Sequence, residues 1–213
     1  NGYKKIPKLI NYLQSGKSIA LVSDAGMPGI CDPGEDLVRS AKINGIDAIC
    51  IPGPCAAINA LISSGMPSSS FIFEGFLPKK KKDRESILLE INKRQKTTIL
   101  FESPHRLLKL LKELKDFCGG EREIQVSREI TKKYEEHLNF TVNKVIEYFE
   151  RKEVVGEITL VIKGIGKKES EFNEFLLRKE LDELINAGLS LSSASSYLAK
   201  KKNLNKNKIY NLY

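Results

Sequence analysis

The sequence predicts an α/β protein that ends in a small all-helical module. Three observations carry that expectation. Short apolar runs bounded by glycine and proline alternate with stretches whose apolar residues recur at helical spacing. A polar, glycine-containing break, Gly164-Ile165-Gly166-Lys167-Lys168-Glu169-Ser170-Glu171, then interrupts the pattern. Beyond it lie only helical patterns. A chain of 213 residues with 41% apolar side chains is long enough for one or two compact units with a real core.

Taken in order, Ile19-Ala20-Leu21-Val22 is too short for a helix and reads as a buried strand. Residues 35–44 carry Leu37, Val38 and Ala41 at helical spacing and stop at Gly45. Residues 48–51 read as a second buried strand, broken by Pro52-Gly53-Pro54, and residues 55–64 as a helix of small side chains. Strand, loop, helix, repeated, argues for parallel pairing with helical crossovers. A second series follows: strand 71–73, helix 83–93 with Ile87, Leu88 and Ile91 inward, and strand 97–101. Ser103-Pro104 opens the next helix, serine as N-cap and proline at the first helical position, and Leu107, Leu108, Leu110, Leu111 and Leu114 form its apolar side. Strand 123–127, helix 142–149 and strand 157–163 close the series. The last strand follows a short turn, so antiparallel pairing is expected there. Helices are expected over 174–187, 192–202 and 206–213, the third with Asn205 as N-cap, and their tight turns read as a helix-turn-helix. A helical appendage that only packs or dimerises is the other reading of this tail.

The net charge is +8, which points to an anionic partner, nucleic acid first. Its distribution is more telling: residues 188–213 hold Lys200, Lys201, Lys202, Lys206 and Lys208 and no acid, and Lys79 to Lys82 form a second run. No apolar stretch approaches the ~20 residues of a membrane span, and no signal-peptide pattern opens the chain, so a cytoplasmic protein is expected. Cys31, Cys50, Cys55 and Cys118 form no CxxC pair, and His105 and His137 stand alone, so no metal is expected and the thiols are expected reduced and mostly buried.

Two loops sit where ligands bind in open sheets, at the carboxyl ends of strands. One is Ser23-Asp24-Ala25-Gly26-Met27-Pro28-Gly29-Ile30-Cys31-Asp32-Pro33-Gly34; the other is Pro52-Gly53-Pro54-Cys55-Ala56-Ala57. Glycine and alanine leave the backbone accessible to a ligand, and a helix start after each loop adds free N–H donors. Neither is a dinucleotide fingerprint or a P-loop.

These two loops, with Glu-Gly-Phe-Leu-Pro at 74–78 and Phe-Glu-Ser-Pro-His-Arg-Leu at 101–107, resemble the tetrapyrrole-methylase superfamily. Within it they are similar to the RsmI branch, which methylates the ribose 2'-hydroxyl of a cytidine in 16S rRNA. The resemblance runs from about Ile6 onward, and the basic tail is similar to that branch's C-terminal helix-turn-helix. It implies two α/β lobes with S-adenosylmethionine in the cleft between them: an N-terminal lobe at 1–66, a C-terminal lobe at 67–164 and the basic module at 165–213. It further implies a homodimer, 16S rRNA of the small ribosomal subunit as substrate, and no metal. The implied cofactor contacts are Ser23, Asp24, Gly26, Met27, Cys55, Ala56, Ala57 and Phe101. Where family members begin with a strand, a Gly-Thr-Pro-Ile-Gly-Asn-like loop and a Glu-Asp-Thr-Arg segment, this sequence has no counterpart, so the first lobe is expected to be incomplete.

Methyl transfer to a ribose hydroxyl is an in-line displacement that needs alignment and a base for the proton. Glu74, Glu102 and His105 match family motifs and are unassigned general-base candidates, with Glu129 a further one. Arg106, Lys79, Lys80, Lys200, Lys201 and Lys206 are candidate RNA contacts, although Arg106 is equally placed to pair with Glu102. Two other functions remain open: a corrin or sirohaem-precursor methyltransferase, and a non-catalytic RNA-binding remnant.

Overall fold

The computed structural model describes residues 5–166, 174–202 and 204–213. The chain divides into two compact units, residues 1–165 and 166–213. Of the break read at 164–171, the part from Lys167 on lies outside the described residues.

In the first unit the elements run α1 (Ile6–Gln14), α2 (Glu35–Ile43), α3 (Ala56–Ser64), β1 (Phe71–Phe76), α4 (Lys81–Lys93), β2 (Thr97–Glu102), α5 (Pro104–Cys118), β3 (Glu123–Arg128), β4 (Glu136–Thr141), α6 (Val142–Phe149) and β5 (Ile158–Ile162). The strands form one mixed sheet of order β1-β2-β5-β3-β4. β1 and β2 pair in parallel across the α4 crossover. β5 enters between β2 and β3, antiparallel to both, and β3 and β4 form an antiparallel hairpin. The α/β expectation holds, and so does the antiparallel pairing late in the series.

Side chains alternate across β2, so Leu100 faces one side and Ile99 and Phe101 the other. On the first side α4, α5 and α6 bury Leu88, Leu107, Leu111, Val145 and Phe149 against Leu100, Ile124 and Leu160. On the second side α3 buries Ala57, Ala60 and Leu61 against Ile99 and Val161.

Two sequence expectations fail in the first 55 residues. Residues 19–22 and 48–51 are not strands: they pair with no neighbour in the sheet, and Val22 and Ile49 are 81% and 85% exposed. A strand buried on both faces needs a ladder partner for its backbone and cover for its side chains, and the described residues supply neither. The thiols also differ from expectation, since Cys31 and Cys50 are exposed and Cys55 and Cys118 half-buried. α1 and β4 were not foreseen. β4 is an edge strand whose Glu136, His137 and Asn139 read as polar surface.

The second unit holds α7 (Glu174–Asn186), α8 (Leu191–Lys202) and α9 (Lys206–Tyr210). Leu181, Ala194, Leu198, Ala199 and Ile209 make its core. Asn205 caps α9 as its position predicts, accepting the Asn207 N–H at 2.8 Å.

Candidate functional site

The two glycine-rich loops meet. A Cβ on Gly53 would lie 3.1 Å from Met27 Sδ, and one on Gly26 would lie 3.5 Å from the Pro54 carbonyl. Loop 23–34 also reaches the sheet, where Cys31, itself at φ 55, touches the end of β1. A Cβ at Gly75 would come within 2.6 Å of its sulfur. Gly75 has φ 63 and belongs to a bulge: Phe73 pairs with Ile99 and Gly75 with Leu100, which leaves Glu74 as the extra residue. A bulge with glycine in the left-handed region bends its strand and re-aims the side chain beside it.

α3 begins next to this junction. Cys55 is extended at its N-cap position and makes no side-chain capping bond, so the first N–H groups of the helix are left for a ligand. Cys55, Phe73, Phe101 and Ile130 pack against the buried cluster that α3 shares with Ile99 and Val161. The Phe101 ring lies edge-on to Phe73 at 5.0 Å and tilted to Phe76 at 5.7 Å. Gly26, Met27, Cys55, Ala56, Ala57 and Phe101 are thus gathered in one region. Asp24 is exposed, and Ser23 turns its hydroxyl to the Ala25 carbonyl at 3.0 Å.

The carboxylates proposed as bases lie elsewhere in their immediate contacts. Glu102 alternates to the opposite face of β2 from Phe101, with a fully buried side chain. Arg106 holds it at 2.6 Å and Arg84 at 3.4 Å, and the Ser103 N–H donates to it at 2.8 Å. Arg84 also pairs with Glu113 at 2.6 Å. Ser103 occupies the N-cap position of α5 without a capping bond; its hydroxyl accepts from Arg106 Nε at 3.2 Å instead. Glu74 pairs with Arg94 at 2.5 Å. Glu129 accepts the Glu157 N–H at 2.8 Å and Lys132 at 3.0 Å, and these bonds, the backbone one first, hold its carboxyl below the usual range.

His105 is exposed, on the first turn of α5. It lines an open groove of about 540 Å³ with Leu108, Phe149, Lys152 and Val155, none of them from the two loops. Lys79 and Lys80 are exposed ahead of α4. In the second unit Lys200 is exposed, Lys201 lies 3.7 Å from Glu180, and Lys206 donates to Ser192 at 3.0 Å. Among the described residues no group of three or more His, Cys, Asp or Glu is placed to hold a metal.

Sequence reasoning missed Arg84, hidden in a lysine run that reads as solvated surface, and the turn between β3 and β4. Glu129 and Thr131 in that turn have φ of 51 and 68, and Ile130 between them packs against the same buried cluster as Cys55 and Phe101. Left-handed non-glycine residues cluster at functional sites. The dense charge of residues 128–136 was the available signal.

The model of the tetrapyrrole (corrin/porphyrin) methylases matches residues 4–146. A Synechocystis protein named ribosomal RNA small subunit methyltransferase I is 43% identical over 213 residues, covering 100% of this chain and 76% of that protein. The protein of that name from Bacillus subtilis is 39% identical, with 97% of this chain and 72% of the other covered. The chain belongs to the tetrapyrrole methylases, in the branch of these ribosomal RNA methyltransferases. It is a methyltransferase by family. Among solved structures, the fold of this tetrapyrrole methylase is similar to that of the methyltransferase CobJ, with a TM-score of 0.58, 16% identity and coverage of 76% and 70% of the two chains. It is also similar to uroporphyrin-III C-methyltransferase from Thermus thermophilus complexed with S-adenosylhomocysteine, with a TM-score of 0.51, 15% identity and coverage of 75% and 72%. At these identities the likeness concerns the fold alone.

Proposed function

We propose that this chain carries out S-adenosylmethionine-dependent methylation of small-subunit ribosomal RNA, at the ribose 2'-hydroxyl of a cytidine. The observation that carries the reading is the 43% identity to a ribosomal RNA methyltransferase along the whole chain. The donor's seat is the junction of loops 23–34 and 52–57 with Phe101. Its features fit such a ligand: backbone open at glycines, an uncapped helix start for a carboxylate, an exposed Asp24 for hydroxyls, and the sulfur of Met27 with the ring of Phe101 as apolar walls. Residues 1–66 form the first wall of this cleft and 67–164 the second, with residues 165–213 as the RNA-binding module.

Bound there, the sulfonium supplies an electrophilic methyl group. The chain's own residues must present the hydroxyl in line and accept its proton. Of the four base candidates, Glu74 and Glu102 are committed to arginines and Glu129 to Lys132 and the Glu157 N–H, which leaves His105 as the proton acceptor. Arg106, oriented by Glu102 and Ser103, presents its remaining N–H groups to a phosphate; Lys79, Lys80 and Lys200 are exposed for the same contact, and Lys201 and Lys206 would exchange Glu180 and Ser192 for it. The protein acts in the cytoplasm as a homodimer, a state that sedimentation checks directly. No helix among the described residues is long and apolar enough to cross a membrane.

The deciding experiment offers radiolabelled S-adenosylmethionine with small ribosomal subunits or with uroporphyrinogen. Label is expected in the RNA. Label in the tetrapyrrole alone would replace this reading by the corrin-type one. Calorimetric binding of RNA without binding of S-adenosylmethionine would replace it by a non-catalytic role.

A further inference from the structure

A line of polar groups runs from beneath α3, where Gln125 and Ser127 are buried, to the exposed edge of the sheet at His137 and Glu135. Gln125 is buried on β3, and its Nε2 lies 3.2 Å from the Ala60 carbonyl and 2.8 Å from Ser63 Oγ, both on α3. The same nitrogen is 2.9 Å from the hydroxyl of Ser127, two residues on and on the same face. Ser127 Oγ is 2.9 Å from His137 Nδ1, across the β3–β4 pair. His137 Nε2 is 2.7 Å from Glu135, and the other oxygen of Glu135 accepts the Thr131 N–H at 2.5 Å. Because the Gln125 amide donates to Ser127, the serine hydroxyl is free to donate to Nδ1, and Nε2–H then donates to Glu135. Every donor on the line has its acceptor.

The line ends at the cluster that α3 itself packs into. Thr131 and Glu129, the two left-handed residues of the turn, flank Ile130, and Ile130 packs against the same buried residues, Ala57, Ala60 and Ile99 among them, as does Cys55 at the start of α3. A second amide, Asn139, pairs with Gln125 across the strands and donates to the Ser64 carbonyl at 2.8 Å, fixing the far end of the helix. Apolar side chains of the same shape would hold a helix on a sheet as well, without desolvating an amide and a hydroxyl. What they would not do is set one distance between the helix start and a strained turn. We propose that Gln125, Ser127 and His137 are positioning residues for methyl transfer, fixing the gap between the start of α3 and Ile130 on either side of the donor's seat. This rests on the function proposed above, for the same site.

The test is calorimetric titration of S-adenosylmethionine into the full chain and four variants, at a temperature where circular dichroism shows all of them folded. Gln125→Met keeps the shape and removes the donors, and His137→Phe keeps a ring and removes both bonds. Each is expected to weaken binding about tenfold, and the double variant no more than the weaker single one, because links of one line do not add. His137→Asn, which puts an amide where Nδ1 was, is expected to regain most of the loss. Variants that melt lower yet bind like the unaltered chain would overturn the inference alone, and so would losses that multiply in the double variant. An unaltered chain that takes up no S-adenosylmethionine would overturn the function reading, and this inference with it.

Discussion

Arg106 holds Glu102 from one helical turn downstream, 2.6 Å away, while Arg84 reaches the other carboxylate oxygen from α4 at 3.4 Å. The carboxylate ends β2 and is closed off from solvent, so the two guanidinium groups fix where β2 stops and where α4 and α5 start relative to it. A buried charge with two cationic partners is costly to strand, and that sets the first prediction.

Arg84→Leu removes one partner of Glu102 and the partner of Glu113. Breaking a buried pair costs about 3–5 kcal/mol, because a charge is left uncompensated. Urea unfolding is the measurement, and a loss below about 1 kcal/mol would mean that Arg106 alone suffices.

Glu136 gives a pH signature. Burial raises its carboxyl, but hydrogen bonds from Lys152, Tyr148 and Arg128 outweigh that and bring it from 4.5 to about 2. A depressed folded value stabilises above the unfolded one and is lost as pH falls through the folded one. Melting temperature should therefore drop between pH 4.5 and about 2. In Glu136→Gln that drop should be shallower; an unchanged profile would assign it to other carboxylates.

Gly156→Ala tests the support of the β3–β4 turn. Gly156 has φ 88, and a Cβ there would lie 2.5 Å from the Glu129 side chain. Left-handed strain and displacement of Glu129 should together cost about 1–3 kcal/mol. Thermal unfolding measures it, and a melting point equal to that of the unaltered chain would contradict the role given to Glu129.

Gly75→Ala probes the loop junction from the sheet side. The added methyl would displace Cys31 and with it loop 23–34, so S-adenosylmethionine binding should weaken while the sheet still forms. Calorimetry with a circular dichroism control reads both.

The lysines of the second unit predict salt dependence. Each of Lys200→Ala and Lys206→Ala should lower the slope of log affinity for RNA against log salt by about 0.7–0.9. An unchanged slope would leave the tail a packing element.

How much of this was legible beforehand depended on where each residue's partner lies. α5 is written locally, by Ser103-Pro104 and a leucine face, and it forms where it was read, although the Ser103 hydroxyl accepts from Arg106 in place of a capping bond. The two loops were legible as ligand-shaped because glycine and proline act on their own backbone. The strands at 19–22 and 48–51 were misread because four apolar residues record a wish for burial without recording whether a neighbour exists. Arg84, Gln125 and His137 escaped for the same reason in reverse: a polar side chain in isolation reads as surface, and only the fold supplies Glu102, Ser63 or Ser127 to meet it.

The extended runs near the start have a practical consequence. Residues 19–22 and 48–51 expose Val22, Ile49 and Ile51 along backbone that bonds to no neighbouring strand among the described residues, which is the template on which another chain adds a strand. A charged residue in place of Ile49 should accordingly lower self-association of this chain, read by light scattering.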